Sequence, residues 1–309
     1  MRFFLVCISF LFFSINLYPQ DSGGFSSSRF IRSNLYAQGE YEFHLFNNYY
    51  SQRDKLNMAE DYNSRYDFFT VTAQILIGLK SNLNLGFEIK LRSVSQNTLS
   101  TDGVFSALKF KNAGFKNENG QFSGYSRVGF SMFGPKVKYQ IFPSLGSFSV
   151  LHTLLIPIGK DLGGNNETGY LDWGSPVLMN EVFFDRNFGA NWSIFAGTGL
   201  FVENINKALL NKDDGFYQFS IPSTFILSRY LFQKMTIYGL LSYAARWENS
   251  VSGGTVNSIY NPYYQFGVGL KYWLTNKIEV EFILTGFEDK TQGRTASTIN
   301  LGFRYFSNR

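Results

Sequence analysis

Between Phe69 and Leu79 every second residue is apolar: Phe69, Val71, Ala73, Ile75, Ile77 and Leu79. A polar turn at 80–84 follows. The alternation then resumes, with Leu85, Phe87, Ile89 and Leu91 on one face and Glu88, Lys90 and Arg92 on the other. Side chains point alternately to the two sides of a β-strand, so this stretch predicts a hairpin with one wholly apolar face and one charged face. The pattern returns near the C-terminus. Phe266, Val268, Leu270 and Tyr272 alternate with Gln265, Gly267, Gly269 and Lys271, while Ile278, Val280, Phe282 and Leu284 alternate with Glu279, Glu281 and Thr285. The last run sets Ile299, Leu301, Phe303 and Tyr305 against Thr298, Asn300, Gly302 and Arg304.

Extending this period along the chain predicts twelve strands, at 39–50, 67–79, 85–95, 125–141, 147–159, 171–186, 191–203, 216–229, 235–247, 259–273, 277–287 and 297–306. Their connections alternate strictly. The short ones are 80–84, 142–146, 187–190, 230–234 and 274–276, and the others are longer and polar. An even strand number with alternating short and long connections is the layout of a transmembrane antiparallel up-and-down β-barrel, short turns on the periplasmic side and long loops outside. Aromatic residues gather near both sets of connections, as two membrane–water girdles would require. In 125–141 the apolar phase slips, which predicts a bulge at Gly134-Pro135. Pro157, Pro176, Pro222 and Pro262 lack an amide donor and are expected at strand ends or bulges. The runs 147–159 and 171–186 look apolar on both faces, so His152 is not assigned a side.

Composition sharpens this picture. Phe and Tyr number 34 and 19, and charged residues make up 17% of the 309-residue chain, against roughly 25% in an ordinary soluble domain. Arg2 followed by the apolar run 3–15 and a polar exit reads as a secretory signal over about 1–20, too short for a spanning helix. The expected organisation is then a leader or lumen plug at 21–38, a barrel at 39–306 and a tail at 307–309. The single cysteine, Cys7, lies within the signal. Disulfides, thiolate metal sites and a cysteine nucleophile are thereby excluded from the remaining chain, and no cofactor is expected. Net charge falls from +5 to +4 with the loss of Arg2, and it is not clustered, which gives no case for nucleic-acid binding.

With these hairpins (75–92 and 270–284) and the terminal strand 299–306, the chain resembles the outer-membrane β-barrel proteins of Gram-negative bacteria, the broad porin-like class. The resemblance covers 39–306. It implies an outer-membrane location, lipid as the outer neighbour, and insertion by the barrel-assembly machinery. Members usually end on an aromatic residue, whereas Ser307-Asn308-Arg309 follow Phe306 here. The scaffold hosts pores, enzymes and purely structural barrels, so function must be argued from the interior.

The inward positions carry that argument. Glu40, Glu42 and His44 lie on the first predicted strand, Glu88, Lys90 and Arg92 on the third, and Lys136 and Lys138 on the fourth. Glu279 and Glu281 follow on the eleventh and Arg304 on the twelfth. An acidic sector beside a basic one would make a charged constriction that selects small hydrophilic solutes. Alternatively, the same charges pair with one another in a dry interior. Catalysis would need His44 or His152, the only two histidines, and neither sits in a recognisable nucleophile motif. Asp213-Asp214, the oxygen-rich turn 161–167 and the glycine pair in 252–255 are read as plain loops. The leading expectation is a passive or substrate-preferring channel. A membrane-embedded hydrolase and a sealed structural or surface-binding barrel are the alternatives.

Overall fold

The structure, a computed structural model, describes residues 35–55, 63–97, 105–116, 122–142, 148–164, 170–203, 216–252, 255–260, 262–289 and 294–307. The expected signal, most of the leader, Asp213-Asp214 and the end of the tail lie outside them. Twelve long strands form one closed antiparallel sheet. They are β1 (Tyr41–Lys55), β2 (Asn63–Lys80), β3 (Leu83–Asn97), β5 (Phe122–Tyr139), β6 (Phe148–Pro157), β7 (Val177–Phe188), β8 (Trp192–Glu203), β9 (Phe216–Leu231), β10 (Met235–Ser252), β12 (Tyr263–Trp273), β13 (Ile278–Asp289) and β14 (Arg294–Phe306). Each pairs with its neighbour in the chain, and β14 closes on β1 with Phe43 opposite Tyr305 and His44 opposite Arg304. Closure leaves no unpaired edge, the condition for a sheet in lipid. All twelve predicted strands are present, with most ends moved by a few residues.

Two short strands were not foreseen. β4 (Ala113–Lys116) adds to the outer end of β5, and β11 (Thr255–Tyr260) adds to β10. Both extend hairpins beyond the membrane, where polar sequence carries no two-residue hydrophobic signal. The run 259–273 is accordingly split before Pro262, and β7 begins at Val177 instead of 171, directly after Pro176.

The outward face is predominantly apolar. Phe87, Phe130, Phe266, Val268 and Leu301 are each more than half exposed. Tyr264 and Tyr272 mark the two ends of the belt on β12, about 26 Å apart along the strand and comparable with the roughly 25 Å apolar band of such barrels. Stacked Phe188 and Trp192 stand near the short turns, and stacked Phe219 and Trp247 near the long loops. The inward face is mostly buried, so the core of this protein is its lumen.

The strand β5 departs from expectation in a readable way. The extra residue is Ser131, since Lys90 pairs with Met132 while Leu91 pairs with Phe130. Ser131 and Met132 are therefore both buried inside, and Phe133 faces outward again. At Gly134-Pro135 the ladder to β6 only lapses for two residues without changing register, because proline has no amide to donate. Pro222, expected at a strand end or bulge, stands inside β9 opposite Ala244. It produces the same two-residue lapse against β8.

Candidate functional site

Counting inward positions around the wall gives two unlike halves. From β12 through β13, β14, β1, β2 and β3 to β5 the wall carries Lys271, Glu281, Glu279, Arg304, His44, Gln74, Glu88 and Lys136, which sit at or next to opposing register positions. From β6 to β10 it carries Leu151, Phe183, Phe195, Ile226 and Leu240, which form one packed apolar cluster with Ile283 and Phe46 reaching across. At the level of this cluster the lumen is thus amphipathic in cross-section. The polar lumen expected from sequence lacks this apolar cluster, which stands among buried Ser149, Thr153, Asp185, Ser193, Ser228, Thr236 and Ser242 on the same strands. The cluster was unreadable because 147–159 and 171–186 look apolar on both faces.

Within the charged arc the groups interleave instead of forming separate acidic and basic sectors. Lys136 Nζ donates to Glu88 Oε2 at 2.5 Å and to Gln74 Oε1 at 2.6 Å. Gln74 Nε2 lies 2.7 Å from His44 Nδ1, and Lys90 stands 3.7 Å from the other Glu88 oxygen. On the far side, Arg304 is 3.4 Å from Glu279 and 3.6 Å from Glu281, and Lys271 is 3.2 Å from Glu281. Such pairs are sustainable in a dry interior only because each charge meets its opposite. Tyr238 completes this end, donating to Glu281 Oε1 at 2.6 Å while its ring lies under the Lys271 ammonium at 5.4 Å. The ring rests on Gly269, where an added Cβ would fall 2.1 Å from it. That is the physical reason for glycine at position 269.

Between the two halves lies a partly enclosed cavity of about 50 Å³, bounded by Tyr36, Glu42, His44, Gln74, Lys136, Lys138, Leu151, Glu181 and Arg304 among others. Among the described residues His44 Nε2 is buried there without a partner. The periplasmic floor is aromatic. Tyr36, just before β1, packs with Leu76, Trp273 and Phe306, and its hydroxyl donates to Glu42. At the outer mouth, Arg92 leaves the main network and pairs with Asp172 at 2.8 Å, its guanidinium over Phe68 and Tyr170. Burial pushes the Tyr170 phenol well above its ordinary pKa. A short helical turn at Ser106–Lys109 also folds in, Ser106 donating to Asp67 at 2.8 Å and Ser93 donating to the Ala107 carbonyl at 2.6 Å.

Most of the residues expected from sequence therefore converge. Glu42, His44, Glu88, Lys90, Lys136, Glu279, Glu281 and Arg304 share one layer, with Lys138 buried one inward position nearer the periplasm. Glu40 does not join them; it sits in the turn before β1 and accepts from the Ala37 amide at 3.0 Å. Lys271 and Gln74 follow the same alternation, but one polar inward position does not by itself mark a site. Glu181 and Tyr238 were hidden, the first in a strand without phase and the second because an aromatic residue carries no sign of facing inward. His152 faces outward, with Asn180 and Tyr139 as its partners. His44 is engaged by an amide, so neither histidine shows a nucleophile contact among the described residues.

A scan of known family patterns and a search of curated proteins return no match. Solved structures do. The chain is similar over 94% of its length to the whole of the COG4313 outer membrane channel from Pseudomonas putida F1, with a TM-score of 0.60 and 11% identity. This chain has the fold of an outer-membrane β-barrel. Weaker similarity extends to the β domain of the Bordetella autotransporter BrkA, with a TM-score of 0.47, 10% identity and 85% and 98% of the two chains covered. It extends likewise to the CymD monoaromatic hydrocarbon channel, with a TM-score of 0.43, 10% identity and 89% of each chain covered. The apolar belt and the closed ladder of this barrel agree with an outer-membrane location on physical grounds alone.

Proposed function

We propose that this barrel is a narrow, gated outer-membrane channel for small solutes that combine a charged group with an apolar body. The two-sided lumen carries this reading. A purely hydrophilic filter has no use for Phe183, Phe195 and Leu240 facing the ion-pair arc, and a hydrocarbon conduit has no use for the arc. A passing anion or cation would exchange into the Lys136–Glu88 or Arg304–Glu279 pairs while its apolar part slides over the opposite wall, a selection by charge and by dewetting together. The similarity to an outer membrane channel supports the transport part of the reading through fold alone. Single-channel recording of the refolded protein in planar bilayers tests it. Current that benzoate blocks more strongly than acetate agrees, and equal block would remove the apolar wall from the account.

A second reading has its own observation. Lys138, Lys271 and Glu279 are almost wholly buried, Tyr36 packs with Leu76, Trp273 and Phe306 at one end of the lumen, and Leu162 packs with Val94, Tyr125 and Leu171 at the other. A permanently sealed barrel that displays its loops satisfies these facts as well. Absence of any conductance, in wild type and in a variant lacking the Tyr36 ring, would decide for it.

A further inference from the structure

The outer wall is not uniformly studded with large side chains. Across β9, β10, β12, β13 and β14 it dips into two adjoining grooves of about 560 and 860 Å³ that share Leu227, Gly239, Val268 and Leu284. Gly239 and Gly286 lie in this depression. Neither has a positive φ, and a Cβ built on either meets nothing within 4 Å. The barrel itself therefore does not require glycine there, whereas the inward Gly269 is required by Tyr238. At the periplasmic end of the groove stand Trp192 and Arg229, opposite each other in the ladder, the guanidinium 5.3 Å from the indole ring centre. Arg229 is exposed, and the indole is its one side-chain partner among the described residues. It lies close to the short turn joining β9 to β10, at the level of the aromatic girdle.

We infer that this groove is a binding site for one inner-leaflet glycerophospholipid, its phosphate on Arg229 and its acyl chains over Gly239 towards Gly286. The dimensions agree. From Ile237 to Leu241 the groove runs about 13 Å along the strands and spans four strand spacings, about 19 Å, across them. One leaflet of a roughly 30 Å hydrocarbon core has a comparable depth. The chemistry agrees too: a cation without a carboxylate partner at the headgroup level attracts a lipid phosphate, and an indole beside it is suited to the interface. The occupant is a lipid of the periplasmic leaflet because the cation sits at the short-turn end.

Native mass spectrometry of the detergent-extracted full chain, titrated with phosphatidylglycerol or with diacylglycerol, tests the assignment. Wild type should retain one phosphatidylglycerol through detergent removal and hold diacylglycerol only weakly. Arg229→Gln, an exposed change that leaves the barrel intact, should weaken phosphatidylglycerol retention about fivefold, the worth of one cation near a lipid phosphate, and leave diacylglycerol unchanged. Gly239→Leu should fill the groove and remove both adducts, while Ile77→Leu on the opposite wall should remove neither. Heat-modifiable migration on gels confirms that each variant is folded. Equal adducts in wild type, Arg229→Gln and Gly239→Leu would overturn the site. A dimer lost on Gly239→Leu would also overturn it, by assigning the groove to a second copy of the chain.

Discussion

Lys136 and Glu88 meet at 2.5 Å on a diagonal between β5 and β3, with Gly134 directly opposite Glu88 in the register. Both are buried. The nearest alternative cation for Glu88 is Lys90, which is 3.7 Å away and attached to the same strand. The Lys136 ammonium also holds Gln74, and through it His44, so one cation organises three strands of the charged arc.

Removing that cation strands a buried carboxylate. Lys136→Met is expected to lower the free energy of unfolding by about 3–5 kcal/mol, because the uncompensated charge costs more than the pair contributes. The double variant Lys136→Met with Glu88→Leu should recover most of the loss. Urea titration of the refolded barrel in detergent, followed by tryptophan fluorescence, measures both. A single variant as stable as wild type would mean that water reaches Glu88.

At the other end of the arc, Tyr238→Phe deletes the hydroxyl that donates to Glu281 at 2.6 Å and keeps the ring on Gly269. The same titration should show a loss of about 1–3 kcal/mol, the usual cost of leaving a buried polar group short of a partner. Gly269→Ala should cost at least as much, since the ring has to leave its seat. If Gly269→Ala proves neutral, the close approach of ring to backbone is not a constraint.

The barrel was legible in the sequence because lipid imposes a simple rule on every strand: one face apolar, period two. Runs such as 85–92 and 278–285 state that rule openly, and short connections tied the register. The charged half of the lumen was legible for the same reason, as Glu88, Glu279, Glu281 and Arg304 alternate with apolar neighbours. The apolar half was not. Where Leu151, Phe183 and Phe195 face inward, both sides of the strand are hydrophobic and the period disappears, taking Glu181 with it. The slip of the apolar phase in 125–141 points to a bulge at Gly134-Pro135, whereas Ser131 carries the extra residue without any compositional mark.

Tyr36 offers a test of the floor. Its ring fills the gap between Leu76, Trp273 and Phe306, and its hydroxyl holds Glu42. On the channel reading, Tyr36→Ala should raise open probability in planar bilayers without altering unfolding by more than a core truncation of that size, about 3–5 kcal/mol. Unchanged gating would place the barrier elsewhere, at the ion-pair layer or at the outer mouth.

The outer mouth depends on Arg92. Its guanidinium pairs with Asp172 at 2.8 Å and lies over Tyr170, so it pins the segment between β6 and β7 across the opening. Arg92→Ala should release that segment. Limited proteolysis of proteoliposomes should then cut within 160–176 sooner than in wild type, with the transmembrane core still protected. Asp172→Asn should give a weaker version of the same result. Identical cleavage in all three proteins would show that the apolar contacts of Leu162 and Leu171 hold the segment unaided.

The claim that lipid is the outer neighbour can be measured one side chain at a time. Leu301 and Asn300 are adjacent on β14, the first more than half exposed in the apolar belt and the second buried in the lumen. An arginine in place of Leu301 has to enter hydrocarbon, which costs about 2–4 kcal/mol near the bilayer midplane. Leu301→Phe keeps the surface apolar and should be nearly neutral. In reversible unfolding from lipid vesicles the two variants should therefore separate by about that amount, and in a thin detergent shell the gap should shrink. If Leu301→Arg is as stable as Leu301→Phe in vesicles, water or protein covers β14, and the apolar belt has another partner than the bilayer.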